Sequence, residues 1–217
     1  MPKIFDVELT ESQVAMYTAP EMFPAYVAGF GSGKSYIMGL TACTYATHSS
    51  SCLIGVYEPD HNMLRRVAIP RVMYWLTQMG YSYTPNKQEG MIYTSSSGIG
   101  DFIFKSLADP ESLVAYETYA TLLDELDTLN TNHAEEVFDK LLGRNRQNIA
   151  DVPQKYKVYN ELEDTWDCVN KTFSYSTPEG FKFMYKMWSP DGENAILNPE
   201  YKIYRGRTED NPTLSQT

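Results

Sequence analysis

Eight residues near the start of the chain, Ala28-Gly29-Phe30-Gly31-Ser32-Gly33-Lys34-Ser35, set three glycines ahead of a lysine and a serine, between two apolar runs. Glycines let consecutive backbone N–H groups turn inward as a nest for an anion, and a helix opening at Lys34 adds the positive end of its dipole. In such a loop the lysine ammonium reaches the outer phosphates and the serine hydroxyl can ligate magnesium. The stretch fits G-x-x-x-x-G-K-[ST] at every defined position except the first, where Ala28 replaces glycine. The bland alternative is a glycine-rich turn that binds nothing. The strand-like "AYVA" before it and the helical run after it argue against that.

A phosphate cradle alone does not distinguish a kinase from a motor, because both need one. The second informative stretch is "TYATLLDELD", an apolar run, Ala120 to Leu123, that ends in Asp124-Glu125. A buried strand there places Asp124 at its carboxyl end, facing a metal's water shell, with Glu125 one residue on and able to polarise an attacking water. Two adjacent acids favour hydrolysis over transfer to a second substrate, and a general base of this kind contributes about 10²- to 10⁴-fold in rate. An acidic helix N-terminus is the competing reading. A third signal, weaker alone, is Ser176-Thr177-Pro178, a strand ending in two hydroxyls and a proline that could sense the terminal phosphate.

The elements around these residues follow from pattern. Thr10 and Gln13 have the spacing of a helix-capping box, so a short helix runs through Tyr17. "AYVAG" is a buried strand feeding the loop, Lys34 opens a helix to about Ala46, and "CLIGVY" is a second buried strand. Apolar residues from Met63 to Leu76 recur at helical intervals, with Pro70 expected to kink or split that helix. "GMIYT" and "DFIFKSL" flank a turn and could pair as a hairpin; a helix follows over Asn132 to Leu142. Residues 144–170 are the least legible. A strand over Lys171 to Ser176, a helix to Trp188 and a last strand at "YKIY" complete an alternation that predicts an α/β domain with a central, mainly parallel sheet covered on both faces.

Composition bounds the function. The 217 residues are 42% hydrophobic and 21% charged, with a net charge of -10, which is the profile of a folded globular chain. Residues 1–139 hold 7 basic against 17 acidic residues, and 140–217 hold 11 of each, so a nucleic-acid face fits the later part better. The longest uncharged stretch, Tyr36 to Tyr57, is broken by threonines, serines and His48, which excludes a membrane span. No secretory signal opens the chain, and Cys43, Cys52 and Cys168 lack disulfide or zinc spacing, pointing to a reducing compartment. His48, His61 and His133 are expected at polar turns or on the surface, with no catalytic role.

In order and spacing these pieces resemble the large terminase subunits of tailed double-stranded DNA phages, and specifically their N-terminal ATPase domain. Gln13 resembles the adenine-reading glutamine; "AGFGSGKS" and "TLLDELD" match P-loop hydrolases in general. "YSTPEGF" resembles the coupling motif, and "RTEDNPTL" is similar to the segment that closes the domain. The resemblance implies a P-loop fold of the additional-strand catalytic-glutamate class and an ATPase using ATP and Mg²⁺. ATP would lie on Gln13, Gly29, Phe30, Gly31, Ser32, Gly33, Lys34 and Ser35. Ser35 and Asp124 would support the metal, Glu125 and Lys34 would act in catalysis, and Ser176, Thr177 and Pro178 would couple. It implies a homo-oligomeric ring on the portal protein at a procapsid vertex, in the host cytoplasm, with the small terminase subunit and double-stranded DNA as partners.

Residues 1–207 would form the ATPase domain and 208–217 a linker toward an absent nuclease domain, so nuclease activity is not expected here. Two departures stand out. Phe30 occupies a position where many relatives carry arginine, and Val114-Ala115 replaces the Arg-Gly that often supplies an arginine finger. The remaining finger candidates are Arg65, Arg66, Arg71, Arg144 and Arg146. A P-loop kinase acting on a small acceptor and a non-hydrolysing, nucleotide-dependent docking module remain as rivals.

Overall fold

The computed structural model describes residues 6–180, 182–192 and 198–211. A capping box opens α1 (Glu11–Tyr17): Thr10 Oγ1 accepts from Gln13 N at 3.3 Å and Gln13 Oε1 from Thr10 N at 3.0 Å. The chain then passes through β1 (Phe23–Ala28), the glycine loop, α2 (Lys34–Ala46) and β2 (Leu53–Glu58). The helical stretch after it is α3 (His61–Met63), a π-helical turn at Leu64–Ala68, and α4 (Ile69–Met79). The run is split as Pro70 predicts: it divides into α3, the π turn and α4, and Pro70 lies in the first turn of α4. The irregularity is the π turn just upstream.

Two short strands, β3 (Thr84–Asn86) and β4 (Met91–Tyr93), precede β5 (Asp101–Ser106); β4 pairs antiparallel with β5, as the flanking pattern predicts. Asp124 ends β6 (Ala120–Asp124) and Glu125 follows it; α5 (Thr131–Leu142) is capped by the Asn130 side chain, which accepts from His133 N. Residues 144–170, illegible in sequence, form a separate hairpin, β7 (Lys157–Asn160) with β8 (Thr165–Cys168). The chain returns to the main sheet as β9 (Thr172–Ser176), then α6 (Phe183–Trp188) and β10 (Tyr201–Gly206).

The eight-stranded sheet has the order β10-β1-β9-β6-β2-β5-β4-β3, and every pairing from β10 to β5 is parallel. All five residues of β6 and all five of β9 are buried, as two-sided coverage requires. One core lies between the sheet and α2/α4, around Ile37, Val72, Trp75 and Leu76; a second lies under α5/α6, around Leu123, Phe138, Phe183 and Trp188. Because β9 is inserted between β1 and β6, the segments that follow β1, β6 and β9 emerge side by side at one edge of the sheet. The expected linker at 208–217 falls partly outside the described residues, beyond Asn211. Among the described residues no helix is long and apolar enough to cross a membrane.

His48 corrects the sequence reading. It is 8% exposed, its Nδ1 lies 2.8 Å from the Tyr119 hydroxyl, and its ring stacks on Tyr156 at 3.6 Å and 11°. Burial, aided by the nearby Lys155 ammonium, depresses its pKa to about 4 from an ordinary 6.5. A depressed folded-state value means its contribution to stability is complete above about 6.5 and is lost as pH falls toward 4. Thermal melts taken at about pH 7.5 and about pH 5 should therefore show a smaller acid-induced drop in Tm for His48→Gln than for the wild type, by roughly 2–5 °C.

Candidate active site

At the carboxyl edge of the sheet, β1 hands over to a loop in which Gly31 and Gly33 adopt left-handed φ values of 74° and 85°. The φ of Gly33 favours glycine, and a Cβ there would displace the Gln13 amide, whose Nε2 would lie 2.5 Å away. Lys34, 7% exposed, turns its ammonium back into the loop: Nζ donates to the Ala28 carbonyl at 3.0 Å and the Gly29 carbonyl at 3.2 Å. It also lies 3.4 Å from Glu125 Oε1 and 5.6 Å from the Phe30 ring centre. Phe30 itself is 78% exposed.

The structure brings the loop, the acid pair and the third motif together. Ser35 Oγ donates to Asp124 Oδ2 at 3.4 Å. Glu125 takes a left-handed conformation, φ 50°, fixed by its N–H donating to the Tyr175 carbonyl of β9 at 2.7 Å. That sharp turn, costly for a residue with a Cβ, aims the carboxylate back over β9 rather than along a helix. There Thr177 holds it with two hydrogen bonds, the backbone N–H to Oε2 at 2.8 Å and the hydroxyl to Oε1 at 2.9 Å. Ser176 Oγ accepts from Asp127 N at 3.3 Å, and Pro178 lines a neighbouring cleft rather than the loop cavity.

Charge is unbalanced at this edge. Asp124 is 1% exposed; burial first, and the Glu125 charge second, push its carboxyl above the ordinary range, while Lys34 opposes them. Glu58, at the end of β2, is fully buried, and neither of its carboxyl oxygens has a hydrogen-bond partner among the described residues. Its pKa is raised by burial, then by the charges of Asp124, Glu125 and Asp60. Sequence reasoning missed Glu58 because "YEPD" reads as a turn. Lys34 is within salt-bridge distance of Glu125 alone, and the raised pKa values of Asp124 and Glu58 hold both toward the neutral form, a charge deficit that a cation at this edge would relieve.

The cavity over the loop is about 680 Å³ and is lined by Glu8, Gln13, Phe30, Gly31, Gly33, Lys34, Ser35, Tyr36, Arg71, Tyr74, Glu125 and Asn211. Gln13 lies in its wall, with its amide already engaged: Nε2 donates to the Ser32 carbonyl at 3.1 Å, and Oε1 accepts from Thr10 N. Thr208 Oγ1 donates to the Phe30 carbonyl at 2.8 Å and Asn211 to the Gly31 carbonyl, so the closing segment grips the loop. Of the five arginines singled out in sequence, Arg71 alone lines this cavity among the described residues. Arg65 bonds to His61 and Asn62 on an exposed face, Arg66 is exposed, Arg144 is half-buried, and Arg146 pairs with Glu117 at 2.6 Å.

No protein-family model matches the sequence, and no curated protein matches it. Solved structures do match. The large terminase of the thermophilic bacteriophage D6E in complex with ADP superposes with a TM-score of 0.70 at 13% identity, over 96% of this chain and 48% of that one. The chain has the large-terminase ATPase fold. The Thermus phage P74-26 large terminase ATPase domain aligns at a TM-score of 0.63 and 14% identity, over 91% of this chain and 80% of that one. The HK97 bacteriophage large terminase gives 0.62 and 7%, over 92% and 39%. The chain spans about half the length of the D6E terminase structures, one of which holds ATP-gamma-S. The central, mainly parallel sheet expected from the sequence is present, with β9 lying between the loop strand β1 and the acid-bearing strand β6.

Proposed function

We propose that this chain is the ATPase domain of a phage large terminase subunit, hydrolysing ATP to drive double-stranded DNA into a procapsid. The observation that carries the reading is the convergence on one sheet edge of a glycine loop with a buried lysine, a serine bonded to a buried aspartate, and a glutamate clamped by the third motif. Resemblance in fold to solved large terminases supports the same conclusion. The donor set fits magnesium. Ser35 and Asp124 already face each other, Glu58 leaves two buried oxygens unpartnered, and no cage of three or more His, Cys, Asp or Glu side chains forms among the described residues. An ion held this way takes its remaining ligands from phosphates and water, the usual habit of magnesium, and would supply charge neutralisation at the terminal phosphates.

The chain's own groups then have defined tasks. The loop amides and Lys34 bind the phosphates. On arrival of the phosphates, Lys34 leaves the Ala28 and Gly29 carbonyls and its contact with Glu125, freeing that carboxylate to orient water and accept its proton. Thr177 holds the carboxylate in place, so loss of the terminal phosphate is felt at once by β9 and the segment beyond it, the coupling role given to Ser176, Thr177 and Pro178. Ring assembly on the portal, the small subunit as partner, and a finger from a neighbour drawn from the exposed Arg65, Arg66 or Arg146 belong to this proposal. Turnover in ¹⁸O-labelled water tests it directly. Label should appear in free inorganic phosphate with no phosphorylated acceptor formed. Transfer of the terminal phosphate to a small acceptor would establish the kinase reading, and absence of phosphate release in an assembled motor the docking-module reading.

A further inference from the structure

One wall of the loop cavity is unlike the rest. Gly39 lets α4 approach α2 so closely that a Cβ at that position would lie 2.6 Å from Arg71 Cγ, and this places Arg71 beside the first turn of α2. There its guanidinium lies 5.7 Å from the ring centres of both Tyr36 and Tyr74. Buried Trp75 braces the group from behind: its Nε1 donates to the Tyr36 carbonyl at 2.9 Å, and its ring centre is 4.7 Å from Tyr36 and 5.3 Å from Tyr74. Tyr74 nonetheless remains 42% exposed, and among the described residues Arg71 has no ion-pair partner. A charged plane and an open aromatic ring thus line the same cavity as Lys34 and Ser35.

We propose that Tyr36, Arg71 and Tyr74 form a nucleobase shelf, on which the purine of the bound nucleotide stacks while its phosphates lie on the glycine loop. The inference rests on the reading of the cavity as a nucleoside triphosphate site and names the part of it that holds the base. Stacking is the interaction these groups offer: an aromatic ring and a planar guanidinium present faces that match a purine and retain the match regardless of its edge substituents. Gln13, assigned the base by resemblance, has its amide oxygen engaged by Thr10 and one amide N–H by Ser32, which leaves it a reduced capacity to read the base edge. Arg71 thereby acts within its own subunit, a different task from that of a finger inserted from a neighbour.

The test compares two ligands by calorimetric titration in magnesium buffer: ATP, and inorganic triphosphate, which has phosphates and no base. Tyr74→Ala and Arg71→Ala should each weaken ATP binding by roughly 5- to 150-fold, the range for a lost base stack, and leave triphosphate binding unchanged. Tyr74→Phe should bind ATP as the wild type does, and Arg71→Lys, which retains charge without a planar face, should behave like Arg71→Ala. Far-ultraviolet circular dichroism melts establish that each variant is folded. Parallel losses for ATP and triphosphate would make Arg71 a phosphate contact and overturn the shelf, as would unaltered ATP binding in both alanine variants. Wild-type protein that binds neither ligand would remove the nucleotide reading itself, a result separable from these because it needs no variant.

Discussion

Glu125→Gln is expected to bind ATP with wild-type affinity and to hydrolyse it about 10²- to 10⁴-fold more slowly. The substitution removes the proton acceptor and the resting ion pair with Lys34, which the incoming phosphates would displace in any case. Thr177 presents one fixed donor, its backbone N–H, and one adaptable group, its hydroxyl, to the two carboxylate oxygens. A glutamine amide satisfies both if its oxygen faces the N–H and its NH₂ donates to the hydroxyl oxygen, so the side chain retains its place. The left-handed backbone at 125 is as costly for Gln as for Glu and is held by the N–H donated to Tyr175. Single-turnover phosphate release at saturating ATP separates chemistry from binding. Hydrolysis at wild-type rate would move the base elsewhere, with Glu58, the acid at this edge given no metal role by the resemblance, the first group to examine.

What the sequence made legible was local. The glycine loop, the apolar run before Asp124 and the hydroxyl-rich end of β9 each carry their signal within ten residues, because tight turns and short buried strands draw on few residue types. Their convergence also follows once the strands are parallel, since parallel strands start and end on common edges. The misses share a different cause. The β7/β8 hairpin exposes Val158, Tyr159, Leu162 and Trp166, so no inward-outward alternation marks it as strand. His48 sits among threonine and serines, and although Tyr45 is beside it, its hydrogen bond and ring stack come from Tyr119 and Tyr156, which arrive from distant segments. Glu58 looks like part of a turn until β6 lies beside it. Arg71, one of five arginines of equal standing in sequence, is distinguished by the close approach of two helices at Gly39. In each case a contact distant in sequence supplies the environment, and no local propensity encodes it.

The larger loss of binding is expected from Lys34→Ala. Lys34 is the one basic side chain within salt-bridge distance of the acid pair among the described residues, and it is almost wholly buried. Its removal acts twice on an incoming triphosphate. The charge-assisted hydrogen bonds to phosphate disappear, and the buried carboxylates of Asp124 and Glu125 are left to repel the ligand without a compensating cation. Truncating one member of a buried, hydrogen-bonded charge set typically costs about 2–5 kcal/mol or more, roughly 30- to 5,000-fold in affinity, enough to carry ATP binding out of a practical titration range. Raising the magnesium concentration should recover part of the loss, because an ion beside Asp124 neutralises the same carboxylates. Glu125→Gln combined with Lys34→Ala should recover part of it as well, by deleting one of the two repelling charges. Near wild-type ATP affinity in Lys34→Ala would mean that the loop amides alone hold the phosphates and that the ammonium, left bonded to Ala28 and Gly29, stays where the free protein has it.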